Sequence, residues 1–211
     1  MSYSKFTLLD LKQQFGVSQN YRPDLFAGIL PRPTSDWLRL SLSMNFAFAM
    51  NQGTEKARSE YIIAPVFAEL YSQGKEQASV FSGVEFNVDK KKGLSGFCDF
   101  LVSRSPDQSV LEAPVVVAVE AKRQDFEKGL AQCIAEMVAA HIYNERNGKD
   151  MGEIYGCVTT GDIWRFLVLR GDLAEVENQA FDITSDAGQI LGILWAMTFG
   201  EIERKTNHAN N

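Results

Sequence analysis

Three side chains of this sequence could share one piece of chemistry: Asp99, Glu120 and Lys122. The latter two close the run Pro114-Val115-Val116-Val117-Ala118-Val119-Glu120-Ala121-Lys122, whose residues 114–119 carry no charge and are rich in β-branched side chains. Such a run reads as a strand buried on both faces of a sheet. Side chains alternate along a strand, so Glu120 and Lys122 project to one face, roughly 6–7 Å apart along the chain. On its own, a Glu-x-Lys of this kind is most simply a strand reaching solvent. Asp99 shifts that balance. It interrupts the mostly apolar stretch 94–103, where Asp is disfavoured in a strand and costly to bury unpaired. A neighbouring cation or a bound metal would remove that cost. If the two strands are neighbours, Asp99 and Glu120 converge on one point with Lys122 beside them. Carboxylates that close repel unless a cation lies between them. Oxygen ligands alone suit Mg²⁺, which keeps several waters and takes one or two protein carboxylates together with substrate phosphate oxygens.

Asp99, then twenty residues, then Glu120-Ala121-Lys122 resembles the Asp…Glu-x-Lys signature of the PD-(D/E)xK nuclease superfamily. Within it, the sequence is most similar to the nuclease domain at the N-terminus of type I restriction motor subunits. The resemblance covers roughly residues 54–170 and includes the turn Thr159-Thr160-Gly161-Asp162-Ile163-Trp164. Cys98 stands where the motif has proline, a position that is not a ligand. The resemblance implies a restriction-endonuclease-like fold and metal-dependent phosphodiester hydrolysis of nucleic acid, DNA rather than RNA. Asp99, Glu120 and the backbone carbonyl of Ala121 would hold Mg²⁺ or Mn²⁺, with Glu60 the helix glutamate that reaches the ion through water. The ion would polarise the phosphate and lower the pKa of bound water. Lys122 would position that water or stabilise developing negative charge. Related nucleases carry a glutamine on the next helix and a tyrosine four residues later; Gln132 matches the first, but Glu136 occupies the second. Two alternatives stay open. One is a non-catalytic module on the same fold that binds nucleic acid or protein; the other is a scaffold in which Lys122 and Asp99 form a buried ion pair.

Composition bounds these readings. A chain of 211 residues suggests one domain with a sizeable core, and 45% apolar with 23% charged residues is ordinary for a soluble globular protein. The longest apolar runs, 114–119 and 191–199, are too short to span a bilayer, so no membrane partner is expected. Residues 1–6 lack the pattern of a signal peptide. Three widely spaced cysteines, each beside an apolar residue, read as buried thiols of a cytoplasmic protein. Two histidines and no paired cysteines argue against zinc. The net charge of −6 opposes nonspecific nucleic-acid binding. It is uneven, however: Lys90, Lys91, Lys92 and Arg123 flank the candidate site and are its candidate nucleic-acid contacts, although the lysine triplet reads equally well as a solvated hairpin turn. No Gly-Lys-Ser/Thr follows Gly93-Leu94-Ser95-Gly96, so an ATP-driven motor is excluded. A homo-oligomer is compatible with the sequence.

The elements that must position the site follow from periodicity. Residues 6–15 form a short helix ending at Gly16, within an arm (1–33) that docks through Leu25, Phe26 and Leu30. A helix capped near Ser35 runs to about residue 51 with Trp37, Leu38, Leu42, Phe46 and Ala49 on one side. A second, 54–72, carries Glu60 and is kinked at Pro65. Strand 81–88, a turn at 89–93 and strand 94–103 form a hairpin; a loop leads to the central strand. Helix 125–145 has a broad apolar stripe that includes His141 as a core residue. It leaves a narrow polar strip of Asp125, Gly129, Gln132, Glu136 and Tyr143, facing either the site or solvent. A buried strand (151–160), a return strand (163–170) and a last helix (185–204) with a fraying end complete the chain. The fold class is α/β: a three-layer sandwich with a mixed central sheet flanked by helices, in which 1–53 pack onto a nuclease-like domain formed by 54–211.

Overall fold

The computed structural model describes residues 2–74, 77–122 and 125–200. Its centre is β4 (Val115–Ala121), buried at every position. β4 lies antiparallel to β3 (Phe97–Ser103) and parallel to β5 (Glu153–Thr159). A parallel neighbour requires a crossover, and α5 (Phe126–Arg146) supplies it. β2 (Ser79–Glu85) extends the sheet beyond β3. On the other side come β6 (Ile163–Arg170), β7 (Leu173–Glu177) and β1 (Ser18–Arg22), with the short β8 (Phe181–Asp182) beside β6. The result is an open mixed sheet of eight strands between two helical layers. One layer holds α2 (Asp36–Gln52), α3 (Glu55–Arg58), α4 (Ala64–Gln73) and α6 (Ile183–Phe199); the other holds α5 and α1 (Leu8–Phe15). Among the described residues no helix is long and apolar enough to cross a membrane.

The expected helix at 6–15 forms as α1, fixed by a Thr7–Asp10 capping box and ended by Gly16 at φ 74°. The arm does more than dock. Its Ser18–Arg22 segment pairs in parallel with β7, and Tyr3, Phe6, Leu11 and Val17 enter the core under α5. Phe26 docks as expected, whereas Leu30 points into solvent and Ile29 packs on the core in its place. The backbone at Leu30 still lies close, because a Cβ on Gly192 of α6 would collide with the Leu30 carbonyl. On α2 the inward side chains are Leu38, Leu42, Phe46 and Ala49; Trp37, expected with them, is turned outward.

The helix expected over 54–72 is one continuous rod with a wide π-turn at Ser59–Ile63 between α3 and α4. Pro65 explains it. Proline has no N–H and its ring crowds the carbonyl four residues back, so the chain widens by one residue, and Ala64 N–H reaches Ser59 O. The last helix starts at Ile183 on an Asp182 cap and ends at Phe199 with Gly200 as its cap; residue 204, its expected end, lies outside the described residues. The fraying end lies outside the described residues.

Candidate functional site

Pairing of β3 with β4 runs through Leu101↔Ala118 and Phe100↔Val119, and the same register sets Asp99 opposite Glu120. There a side chain replaces the ladder: Ala121 N–H donates to Asp99 Oδ2 at 2.8 Å. The β4–β5 pairing meanwhile continues to Ala121↔Thr159, and Lys122 N–H donates to Thr159 O at 2.8 Å. β3 and β4 therefore part at Asp99. The opening is a cleft of about 300 Å³ lined by Glu55, Lys56, Ser59, Glu60, Asp99 and Ala121, with Ser82 and Gly83 across from the helix.

Behind the cleft, on the α5 side of the sheet, lies a buried polar chain. Glu120, 1% exposed, pairs through Oε1 with Lys122 Nζ and accepts at Oε2 from Gln132 Nε2 at 2.6 Å. The same Gln132 Nε2 donates to Glu136 Oε1 at 3.2 Å. Gln132 Oε1 and Glu136 Oε2 are buried with no hydrogen-bond partner among the described residues. Lys122 passes beneath α5 only because residue 129 is glycine: a Cβ there would lie 2.8 Å from Lys122 Cγ and 2.9 Å from Val158 Cγ1. Tyr3 packs against α5 at this level, its hydroxyl donating to Phe86 O at 2.8 Å.

Too many carboxyls share this space for one ammonium. Burial pushes the Glu120 carboxyl up to about 8, the Asp99 carboxylate pushes the same way, and Lys122 only partly opposes them. Glu136 is held well above the carboxylate range by burial and by Glu120. Burial also raises Asp99, against the hydrogen bond from Ala121. For Lys122 burial acts downward, and the carboxylates of Glu120, Glu55 and Asp99 together outweigh it, so the ammonium is retained to higher pH.

The residues singled out in the sequence are only partly gathered. Asp99, Ala121 and Glu60 line the cleft; Glu120, Lys122 and Gln132 form the buried chain behind it. Lys122 pairs with Glu120 and not with Asp99, which removes the scaffold reading built on a Lys122–Asp99 ion pair. Glu60 is half-exposed and bridges Lys56 at 2.7 Å. Lys90–Lys92 form an exposed 3₁₀ turn capped by Asp89. That turn does not flank the cleft. It folds back to the far end of α5, where Arg146 donates to Val88 O at 2.6 Å and Gln14 to Lys92 O at 2.8 Å. Arg146 lies on the order of 15 Å along the helix from Glu136. Arg123 lies outside the described residues. His141 is half-buried, not core, and faces Glu145 at 3.5 Å. The three cysteines are free and buried, as expected.

Two acids escaped the sequence reading. Glu55 reads as an ordinary first-turn acid after the Thr54 cap, yet it lines the cleft, acts against the Asp99 carboxylate and attracts Lys122. Glu136 reads as one polar position in a strip that faces either the site or solvent; it is fully buried, and Gly129 and Gln132 are buried with it. Its one sequence signal was a carboxyl four residues after Gln132 on a helix otherwise apolar over most of its circumference.

Compared with models of protein families and with curated proteins, the chain matches none of either. Among the described residues, no three His, Cys, Asp or Glu side chains form a ready-made ligand set for a metal ion. Such a set is not required of Mg²⁺, which keeps most of its waters and needs only one or two carboxylates.

Proposed function

We propose that the chain is a metal-dependent phosphodiester hydrolase of the PD-(D/E)xK type, with a restriction-endonuclease-like fold and DNA as substrate. The observation that carries this reading is the strand opening at Asp99. A carboxylate replaces a ladder carbonyl at the mouth of an acidic cleft, directly in front of a buried Glu120–Lys122 pair.

The residues present fit a hard divalent cation. Glu55, Glu60 and Asp99 put three carboxyls on the cleft, against Lys56 at the rim and Lys122 behind it. A cleft of that sign repels a phosphodiester unless a cation neutralises it, which supports a metal-dependent reaction. Asp99 and the Ala121 carbonyl would hold the ion, with Glu120 able to join once Lys122 releases Oε1 and with Glu60 contributing through water. When bound, the ion supplies a more acidic water and draws charge from the phosphate oxygens.

The remaining roles belong to the chain itself. Lys122, freed from Glu120, presents an ammonium to the attacking water or to the charge that develops on phosphorus-bound oxygen. Gln132 fixes the rotamer of Glu120 from behind. Glu136, uncharged through burial, supports Gln132 without adding a second negative charge.

The test is cleavage of linear, supercoiled and single-stranded DNA and of RNA, with Mn²⁺ or Mg²⁺ at low salt. Wild type is expected to cut DNA and to stop in Ca²⁺; Lys122→Ala should lose cleavage while Mn²⁺ still raises its melting temperature. Equal inertness of wild type and Lys122→Ala on all four substrates would favour a non-catalytic binding module, a reading the net charge of −6 supports.

A further inference from the structure

An exposed helix normally turns charge to water. α2 does not: residues 40–52 contain no charged side chain. Among the described residues its main contacts are with the rod formed by α3, the π-turn and α4. On the open side, Trp37, Leu40, Met44 and Phe48 are 53%, 60%, 70% and 47% exposed, and their spacing places them in one stripe. Tyr61 of the π-turn widens it, with its ring centroid 5.1 Å from that of Phe48 at 88°.

Aromatic side chains carry about 150–250 Å² each, so the five half-exposed residues offer on the order of 500 Å² of contiguous apolar surface. Two copies face to face would cover on the order of 1,000 Å², the size at which specific interfaces begin.

We propose that α2 is the interface of a homodimer, crossing the α2 of a second copy in antiparallel fashion on a two-fold axis. Three features select a second copy as the occupant. A two-fold interface needs a self-complementary patch. This stripe has large rings at its ends and adaptable Leu40 and Met44 between, so reversal sets Trp37 on the second copy's Phe48 and Leu40 on its Met44. Charge points the same way. Two copies that each carry −6 repel over most of their surfaces, and this uncharged face is where they can approach. Lastly, the only charged residues of α2, Asp36 and Arg39, pair with each other at its N-terminus, and the antiparallel crossing sets them against the uncharged second half of the second copy's helix.

Sedimentation velocity and light scattering of the full chain between roughly 1 and 100 μM test this. A species of twice 23.6 kDa is expected, favoured by added salt, which screens the repulsion and strengthens apolar burial. Met44→Glu should raise the dissociation constant by roughly 100-fold or more, since one change acts twice in a two-fold interface. Met44 is mostly exposed, so the variant should keep the wild-type circular dichroism, and its melting temperature should match that of wild type at concentrations where wild type is monomeric. Leu9→Glu, equally exposed but on α1 across the sheet, should leave the dimer intact. A wild-type monomer at 100 μM, or a dimer that survives Met44→Glu, or one that Leu9→Glu dissolves, overturns the proposal.

Discussion

Raising the pH from 5 to 8 should weaken this fold, and Glu120 is the principal reason. Its carboxyl titrates near 8 in the folded protein against an ordinary 4.5. The folded state therefore keeps a proton that the unfolded chain gives up. The stabilisation is complete below 4.5, drains steadily as pH climbs to 8, and is spent above it. At about 1.4 kcal/mol for each pH unit in that window, the ceiling is roughly 5 kcal/mol. That is a large share of the about 5–15 kcal/mol that holds a domain folded. Water entering the cleft will reduce the figure, whereas Glu136, raised by burial and by the Glu120 carboxylate, acts in the same direction. Urea midpoints at pH 5, 6, 7 and 8 and constant ionic strength measure the effect. Glu120→Gln, which keeps the size and removes the titration, should flatten the slope, and Mn²⁺ should restore wild-type stability at pH 8. A midpoint that is level or rising from pH 5 to 8 would refute the burial of Glu120 beside a second carboxylate on which the site is built.

Other expectations are local. Asn144, fully buried, donates to Val115 O at 2.7 Å and accepts from Val115 N at 2.8 Å, so Asn144→Ala strands both groups at the head of β4. The cost should be roughly 2–4 kcal/mol, read from urea midpoints. A Cβ on Gly156 would lie 2.9 Å from both Cys133 Sγ and Leu167 Cγ. Gly156→Ala should therefore destabilise by about 1–3 kcal/mol, a fall of several degrees in melting temperature. Gly129→Ala should push Lys122 off Glu120, and so steepen the loss of stability between pH 5 and 8 relative to wild type.

The central part of the fold was legible because it is apolar in unbroken runs. β4, α5 and the β5–β6 hairpin follow from that signal, within a residue or two at their ends. β1 gave no such signal: Ser18, Gln19, Asn20, Tyr21 and Arg22 are all exposed, and only backbone pairing makes them a strand. β7 hid behind its acids. Glu175 and Glu177 are buried, which composition alone argues against, yet Arg22 and Arg170 pair with Glu175, and the amides of Phe26 and Gln179 donate to Glu177. Asp99 stood out because it offends strand chemistry. The partner that excuses it is an amide of the next strand, and nothing along one strand can reveal its neighbour's register. Glu136 and Glu55 needed the helices in place before their position relative to Asp99 had any meaning.

The pairing of β1 with β7 also sets an order of events during synthesis. Phe26 and Glu177 touch across 151 residues of sequence. At about 5–20 residues per second, the first strand leaves the ribosome on the order of ten to thirty seconds before its partner exists. An extended segment idle that long is normally an invitation to stray pairing with other nascent chains. Here it carries serine, glutamine, asparagine and arginine, and its one ring, Tyr21, gives a stranger little apolar face to pair with. The composition that made β1 invisible in the sequence is thus what lets it wait in water, and its late docking beside β7 is what covers that edge of the sheet.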